Sequence, residues 1–426
     1  MFRMKRTWRR LFFLKPLQGV EWVKGIGLVN RIDPEGYERL MDFPGRLKLK
    51  IEHKLKNRSR GWTYGEGTNL EAWQLSFRDM ESWDHPEVIG EPAEDVLFAL
   101  KRWDAVLGEL IECRLERPKA KFDNEWKTGM WEETQHYTPF YKASRTFNLR
   151  ACAYLGNGEA SKALEDILTG FYFGQAIKDE PWLGSLLSEL TIYHTLLQPV
   201  WEGLKYQAWS KSQLIQLEQV LANLDLLNSM WGSFQGERLL LNYMLENPET
   251  ARGIWVDDGR VMRSFQRILP ELNLVYFKIV YPAINVEEQL INVPLLKYPE
   301  NTFPNPNKAM QKAIEHNVNS VAIKAATHKQ NVINMARIAC QLEIRKMDGV
   351  EYPERLEELD ADLPHDVITG EPFHYSLTKD GRYRLYSIGW NEVDDGGKIG
   401  KKANREYGDW VWQYTKVPVI EDSDDE

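Results

Sequence analysis

The sequence predicts a mainly α protein: a helical array of stacked hairpins followed by a small C-terminal α+β module. Three observations carry this. Apolar residues in the first two thirds recur at the 3.6-residue spacing of amphipathic helices. Turn-forming clusters such as Gly156-Asn157-Gly158 interrupt that rhythm at short intervals. Beyond residue 349 the pattern changes to aromatic, β-prone runs that flank an Asp-Gly pair.

In order along the chain, five regions are expected. Residues 1–90 form a mixed, basic N-terminal region, with short helices at 35–60 and 69–80, the second capped by Asn69. Residues 91–306 form the array. Its first helix runs from Pro92 to Cys113, with Val96, Leu97, Leu100, Trp103, Val106, Leu107 and Leu110 on one side. Residues 138–246 contain at least four packed helices that bury Leu164, Leu186, Leu190, Leu217 and Leu221. Pro181 opens one of them, and Ser210 with Gln213 forms a capping box for another. A further helix is expected near 258–280. Residues 307–348 make a long connecting helix, 349–416 the β module, and 417–426 an acidic tail. Within the module, Phe373–Leu377 and Tyr383–Ile388 pair as a hairpin around Lys379-Asp380-Gly381.

Composition sets limits on function. The 426 residues include 16 Trp, 18 Tyr and 16 Phe, enough for a large core, and the formal net charge is −9. No nucleic-acid partner is expected from that balance. Residues 1–60, however, carry sixteen Lys/Arg against six Asp/Glu, which makes them the candidate surface for membrane contact. The run Leu11–Leu14 is too short for a signal peptide or a membrane span, so the chain as written reads as soluble. Cys113, Cys152 and Cys340 stand far apart, without a CxxC pair, and are expected as buried thiols.

Phosphate-loop, dinucleotide-binding, HExxH and GxSxG patterns are absent. Gly25-Ile26-Gly27 has Asn30 where a third glycine would stand. His136, His194 and His328 fall singly in helices, the ordinary setting of core or surface histidines. Glu237-Arg238 reads as a helix-locking ion pair. One segment has the composition of a sugar site: Asp123, Glu125, Glu132 and Glu133 lie among Phe122, Trp126, Trp131 and Tyr137. Rings that stack on sugars beside paired carboxylates are what a glycoside hydrolase uses. That makes a carbohydrate-active enzyme based on 122–137 the alternative functional expectation.

The C-terminal region resembles the C-terminal module of type II secretion major pseudopilins. The matches are Tyr352-Pro353, Leu363-Pro364, Asp366, Gly370, Pro372, Tyr375, Ser387, Gly389, Gly396-Gly397 and Asp409. Val367, Asn391 and Glu392 depart from the pattern. The preceding helix, rich in Lys, His, Asn and Gln, does not suit a bilayer as a pilin's does. More widely, EAWQLSFRD, PAEDVLFAL, GER and LYSIGWNEVDDGG…GDWVW resemble a bacterial family found in Verrucomicrobia and Planctomycetes, whose members carry an N-terminal membrane anchor.

The pseudopilin resemblance implies a calcium-binding loop at 388–409. Its ligands here would be Asn391, Asp394, Asp395, Asp409 and the carbonyl of Ile388, with Gly396 and Gly397 allowing the turns. Calcium takes six to eight oxygens from such glycine-bent acidic loops. The functional expectation is therefore a non-catalytic binding or scaffold protein with a protein partner. It would lie in the bacterial envelope or periplasm, or in the cytoplasm if Met1 is the true start.

Overall fold

A computed structural model describes residues 61–80, 83–117, 119, 137–233, 236, 318–359, 362–401 and 406–420. The sequence expectations for 1–60, 120–136 and 237–317 lie outside these residues, as do the acids of 421–426. The described part is mainly helical, with a small three-stranded antiparallel sheet.

The array begins with α1 (Leu70–Arg78), where Asn69 Oδ1 accepts the Ala72 N–H at 2.8 Å. α2 (Pro92–Leu100) starts on proline, whose missing N–H costs nothing at a first position. The single helix expected from Pro92 to Cys113 is divided. A 3-10 turn, Lys101–Trp103, separates α2 from α3 (Asp104–Glu116). The tighter turn leaves Leu100, Trp103 and Leu107 all buried, so the apolar spacing survives the break.

α4 (Tyr137–Gly156), α5 (Ala160–Ile177) and α6 (Leu183–Lys205) pack on one another as the centre of the array. Gly158, at φ 74°, ends the first hairpin. α6 starts two residues after Pro181, which lies in the preceding turn, where Ser185 Oγ sits 2.6 Å from the carbonyls of both Glu180 and Trp182 and shares its one proton between them. Gly170 and Gly174 let α6 approach α5: a β-carbon at either would collide with Leu196 or Tyr193. Arg150 ties α4 to α5 through two bonds to Asp166, at 2.7 and 2.6 Å, and reaches Asp104 of α3 at 3.1 Å.

α7 (Lys211–Ala222) carries the expected capping box. Ser210 Oγ accepts from Gln213 N at 3.3 Å, and Gln213 Oε1 accepts from Ser210 N at 2.8 Å. Residues 226–233 form a further helical stretch. Leu164, Leu186, Leu190, Leu217 and Leu221 are all buried, as are the three free cysteines.

α8 (Val318–Met347) lies against α6 and α7 on one side and against the sheet on the other. The sheet runs β1 (His374–Leu377), β2 (Tyr383–Ser387), β3 (Trp410–Trp412) in that spatial order. In the β1–β2 hairpin Leu377 faces Tyr383 and Gly381 adopts φ 76°, as the Asp-Gly signal implied. One hydrophobic core runs without interruption through Phe147, Leu190, Ala336, Leu385 and Trp412. Array, long helix and sheet thus share an interior. A small second cluster, Ile399, Val411 and Val417, lies apart from it.

Several polar side chains of α8 are buried at this junction, and Gln330, Asn331, Asn334 and Glu343 are each matched by partners. Gln330 Oε1 accepts from Leu226 N at 2.8 Å, and its Nε2 donates to Leu224 O and Asn334 Oδ1. Asn331 donates to Asp366 Oδ1 and Ser387 Oγ and accepts from Val367 N. Asn334 donates to His365 O. Lower down, Glu343 collects Tyr352, Tyr383 and Arg382, and Arg382 also donates to Leu204 O of α6.

The segment 61–68 closes the structure. Trp62 N donates to Gln198 Oε1, and Thr68 donates twice to Glu202 Oε1 at 2.7 Å. Tyr64 O accepts from Val417 N at 3.1 Å, and the Trp62 ring lies 5.4 Å from that of Trp412. Gly65, at φ 74°, passes so close to Thr415 O that no side chain would fit.

Candidate cation-binding loop

The loop that links β2 to β3 begins at Ile388, directly after Ser387. Ser387 Oγ accepts the Gly389 N–H at 3.1 Å, which bends the chain away from the sheet. Gly389, at φ 70°, sits against Gly408 O, so the two ends of the loop are pinched together. Glu392 adopts φ 56°, an unusual value for a side-chain-bearing residue.

Asp409 organises the interior of the loop. It is 2% exposed. Its Oδ1 accepts from Asp395 N at 3.2 Å and its Oδ2 from Gly397 N at 2.6 Å. Burial, reinforced by the nearby charges of Asp395 and Asp394, pushes its carboxyl up to about 6 in spite of those two donors. Gly397, at φ 79°, leaves no room for a side chain beneath Arg384, which donates to Gly396 O at 3.1 Å and Gln413 Oε1 at 2.7 Å.

Asp394 turns outward. Its Oδ1 accepts from Gly396 N at 2.9 Å and from Tyr386 Oη at 3.2 Å, and its Oδ2 lies 3.8 Å from His374 Nδ1. The His374 ring stacks on Tyr386 at 4.7 Å. Burial, with Asp394 alongside, raises the Tyr386 hydroxyl to about 12.

Two oxygens in the loop are left over. Asn391 Oδ1 and Asp395 Oδ2 are both sealed from solvent without a hydrogen-bond partner. A buried acceptor with no donor is costly. Oxygens of this kind, in a loop that also buries Asp409, are the ligand type that a small hard cation prefers. Among the described residues, no three His, Cys, Asp or Glu side chains converge as a ready-made metal centre. Of the five ligands expected from the sequence, Asn391, Asp395 and Asp409 have buried side-chain oxygens, Asp394 is engaged outside, and Ile388 stands at the loop's entrance.

His374, Tyr386 and Arg384 were not singled out by sequence. Their only signal was alternation along the two strands, which places His374 and Tyr386 opposite each other in register. The acid and aromatic residues of 122–136 lie outside the described residues. Tyr137, which is described, donates to Glu180 Oε2 at 2.5 Å. No described helix is long and apolar enough to cross a membrane. Protein-family models, curated proteins and solved structures were all compared with this chain, and none matches it.

Proposed function

We propose that this chain is a non-catalytic binding or scaffold protein of the bacterial envelope, with a calcium ion fixing the loop 388–409 for a protein partner. The observation that carries the reading is the pair of sealed, unpartnered oxygens of Asn391 and Asp395 in a loop organised by Asp409. Those residues would hold the ion, with waters and backbone carbonyls completing six to eight ligands. The shared core supports a scaffold role, because a loop mounted on one continuous interior keeps its geometry when pulled. The envelope location rests on the resemblance of the sequence to anchored bacterial proteins.

Calorimetry and thermal melting of the full chain test the ion. Calcium at millimolar concentrations should give binding heat and raise the melting temperature, and magnesium should do so less. Asn391→Asp adds a charge and should tighten binding. Absence of both signals overturns the calcium reading. Fractionation of the native host tests the location, and a wholly cytosolic protein overturns that part.

A further inference from the structure

A second buried acid lies far from the loop, in the array. Glu189 on α6 is 1% exposed, and Tyr193, one turn along the same helix, is equally enclosed. Facing them is the helical stretch 226–233, which buries Leu226, Ser229, Met230 and Ser233, the side spaced i, i+3, i+4, i+7. Ser229 Oγ lies 3.2 Å from Glu189 Oε1 and 3.2 Å from Asp225 O.

A serine hydroxyl has one proton to give. The Asp225 carbonyl can only accept, so it claims that proton whenever the helical i−4 bond is made. Ser229 Oγ can donate to Glu189 Oε1 only by giving up the Asp225 carbonyl, and both 3.2 Å contacts are satisfied together when the carboxyl carries a proton of its own. An ionised Glu189 would instead need several donors to replace water. Among the described residues no cation touches the carboxyl, and its polar neighbours are hydroxyls: Ser229 Oγ opposite and Tyr193 Oη one turn along, which also hydrogen-bonds to it. This is a setting for an uncharged acid.

We infer that Glu189 is a proton-held latch: its protonated carboxyl fastens α6 to residues 226–233, and loss of that proton releases the stretch. The groups that act on it are Ser229 opposite and Tyr193 on its own helix, both as hydrogen-bond partners, and the charges of Lys178 and Asp179 just past α5, whose effects oppose each other. Burial dominates and raises the carboxyl to about 8. The device does not depend on the calcium loop, so either reading can fail alone.

Infrared spectroscopy of the full chain with isotope-labelled glutamate tests the protonation directly. A protonated glutamic acid signal should be present at about pH 6.5 and titrate away by about pH 9.5. Its absence at the lower pH, or its loss in the ordinary glutamate range, overturns the inference. Hydrogen exchange, corrected for intrinsic rates, tests the release. Protection at 226–233 should fall roughly tenfold or more over that range relative to α4, and should stay level in Glu189→Gln. Unchanged protection in the parent chain overturns the latch even if the variant does not fold.

Discussion

Asn331 on α8 and Asp366 in the segment before β1 meet with Nδ2 and Oδ1 2.6 Å apart, and both side chains are closed to solvent. The same amide group also holds Val367 N and Ser387 Oγ. One side chain therefore fixes both the approach to β1 and the end of β2 against the long helix.

Asn331→Ala should lower stability by about 2–4 kcal/mol in urea unfolding, because three partners, two of them buried, lose their bonds together. Asn331→Asp, which sets a second carboxylate beside Asp366, should be worse at neutral pH and partly recover in acid. Equal stability of Asn331→Ala and the parent would show that the junction does not depend on this contact.

Arg150→Leu should cost about 3–5 kcal/mol, since it strands Asp166, which is 1% exposed, without its cation. Most of that loss should return in the double variant Arg150→Leu/Asp166→Leu, where no charge is left buried. The third partner, Asp104, is half exposed and should matter little, so Asp104→Asn should stay within about 1 kcal/mol. A double variant no better than the single one would mean that the pair is a net stabiliser.

Glu189 should leave a mark on stability against pH. Its acid is raised by burial from an ordinary 4.5 to about 8, so the folded chain holds a proton that the unfolded chain has lost. Stability is full below the unfolded value and falls as pH climbs toward 8. The loss should reach at most about 5 kcal/mol, and Glu189→Gln should remove it. Chemical denaturation at a series of pH values measures this, and parallel curves for the two proteins would contradict it.

Gly174→Ala should destabilise by about 1–3 kcal/mol despite alanine's better helix propensity, because the new methyl meets the Tyr193 ring. Gly232→Ala, with open space around it, is the control and should be neutral or stabilising. Thermal melting of the two variants side by side decides between crowding and propensity.

How much of this was visible beforehand follows from the range of each interaction. Asn69, Ser210 with Gln213, and Asp380-Gly381 act on neighbours within four residues, so the cap, the capping box and the hairpin could all be read from sequence. The 3-10 turn at Lys101–Trp103 could not, because it preserves the apolar spacing that an unbroken helix would show. The Gln and Asn residues of α8 argued against a bilayer. Their actual partners, Leu224, Leu226, His365 and Asp366, are separated from them by 31 to 106 positions and leave no local trace. In the loop, the glycines and acids were legible. The outward turn of Asp394 was not, because Tyr386 on a neighbouring strand sets it.

The bond from Val417 N to Tyr64 O has a consequence for how the chain is made. On a ribosome, residues 61–68 emerge early and can settle on Gln198 and Glu202 once α6 exists. Their contacts with Trp412, Thr415 and Val417 must wait for more than two hundred further residues. Until then the array carries a vacant seat, with Trp62 facing the place that Trp412 will take. Long-range closure of this kind is slow and leaves apolar surface open to strangers. Nascent chains stalled before residue 410 should therefore depend on chaperones, whereas chains that have passed Val417 should not.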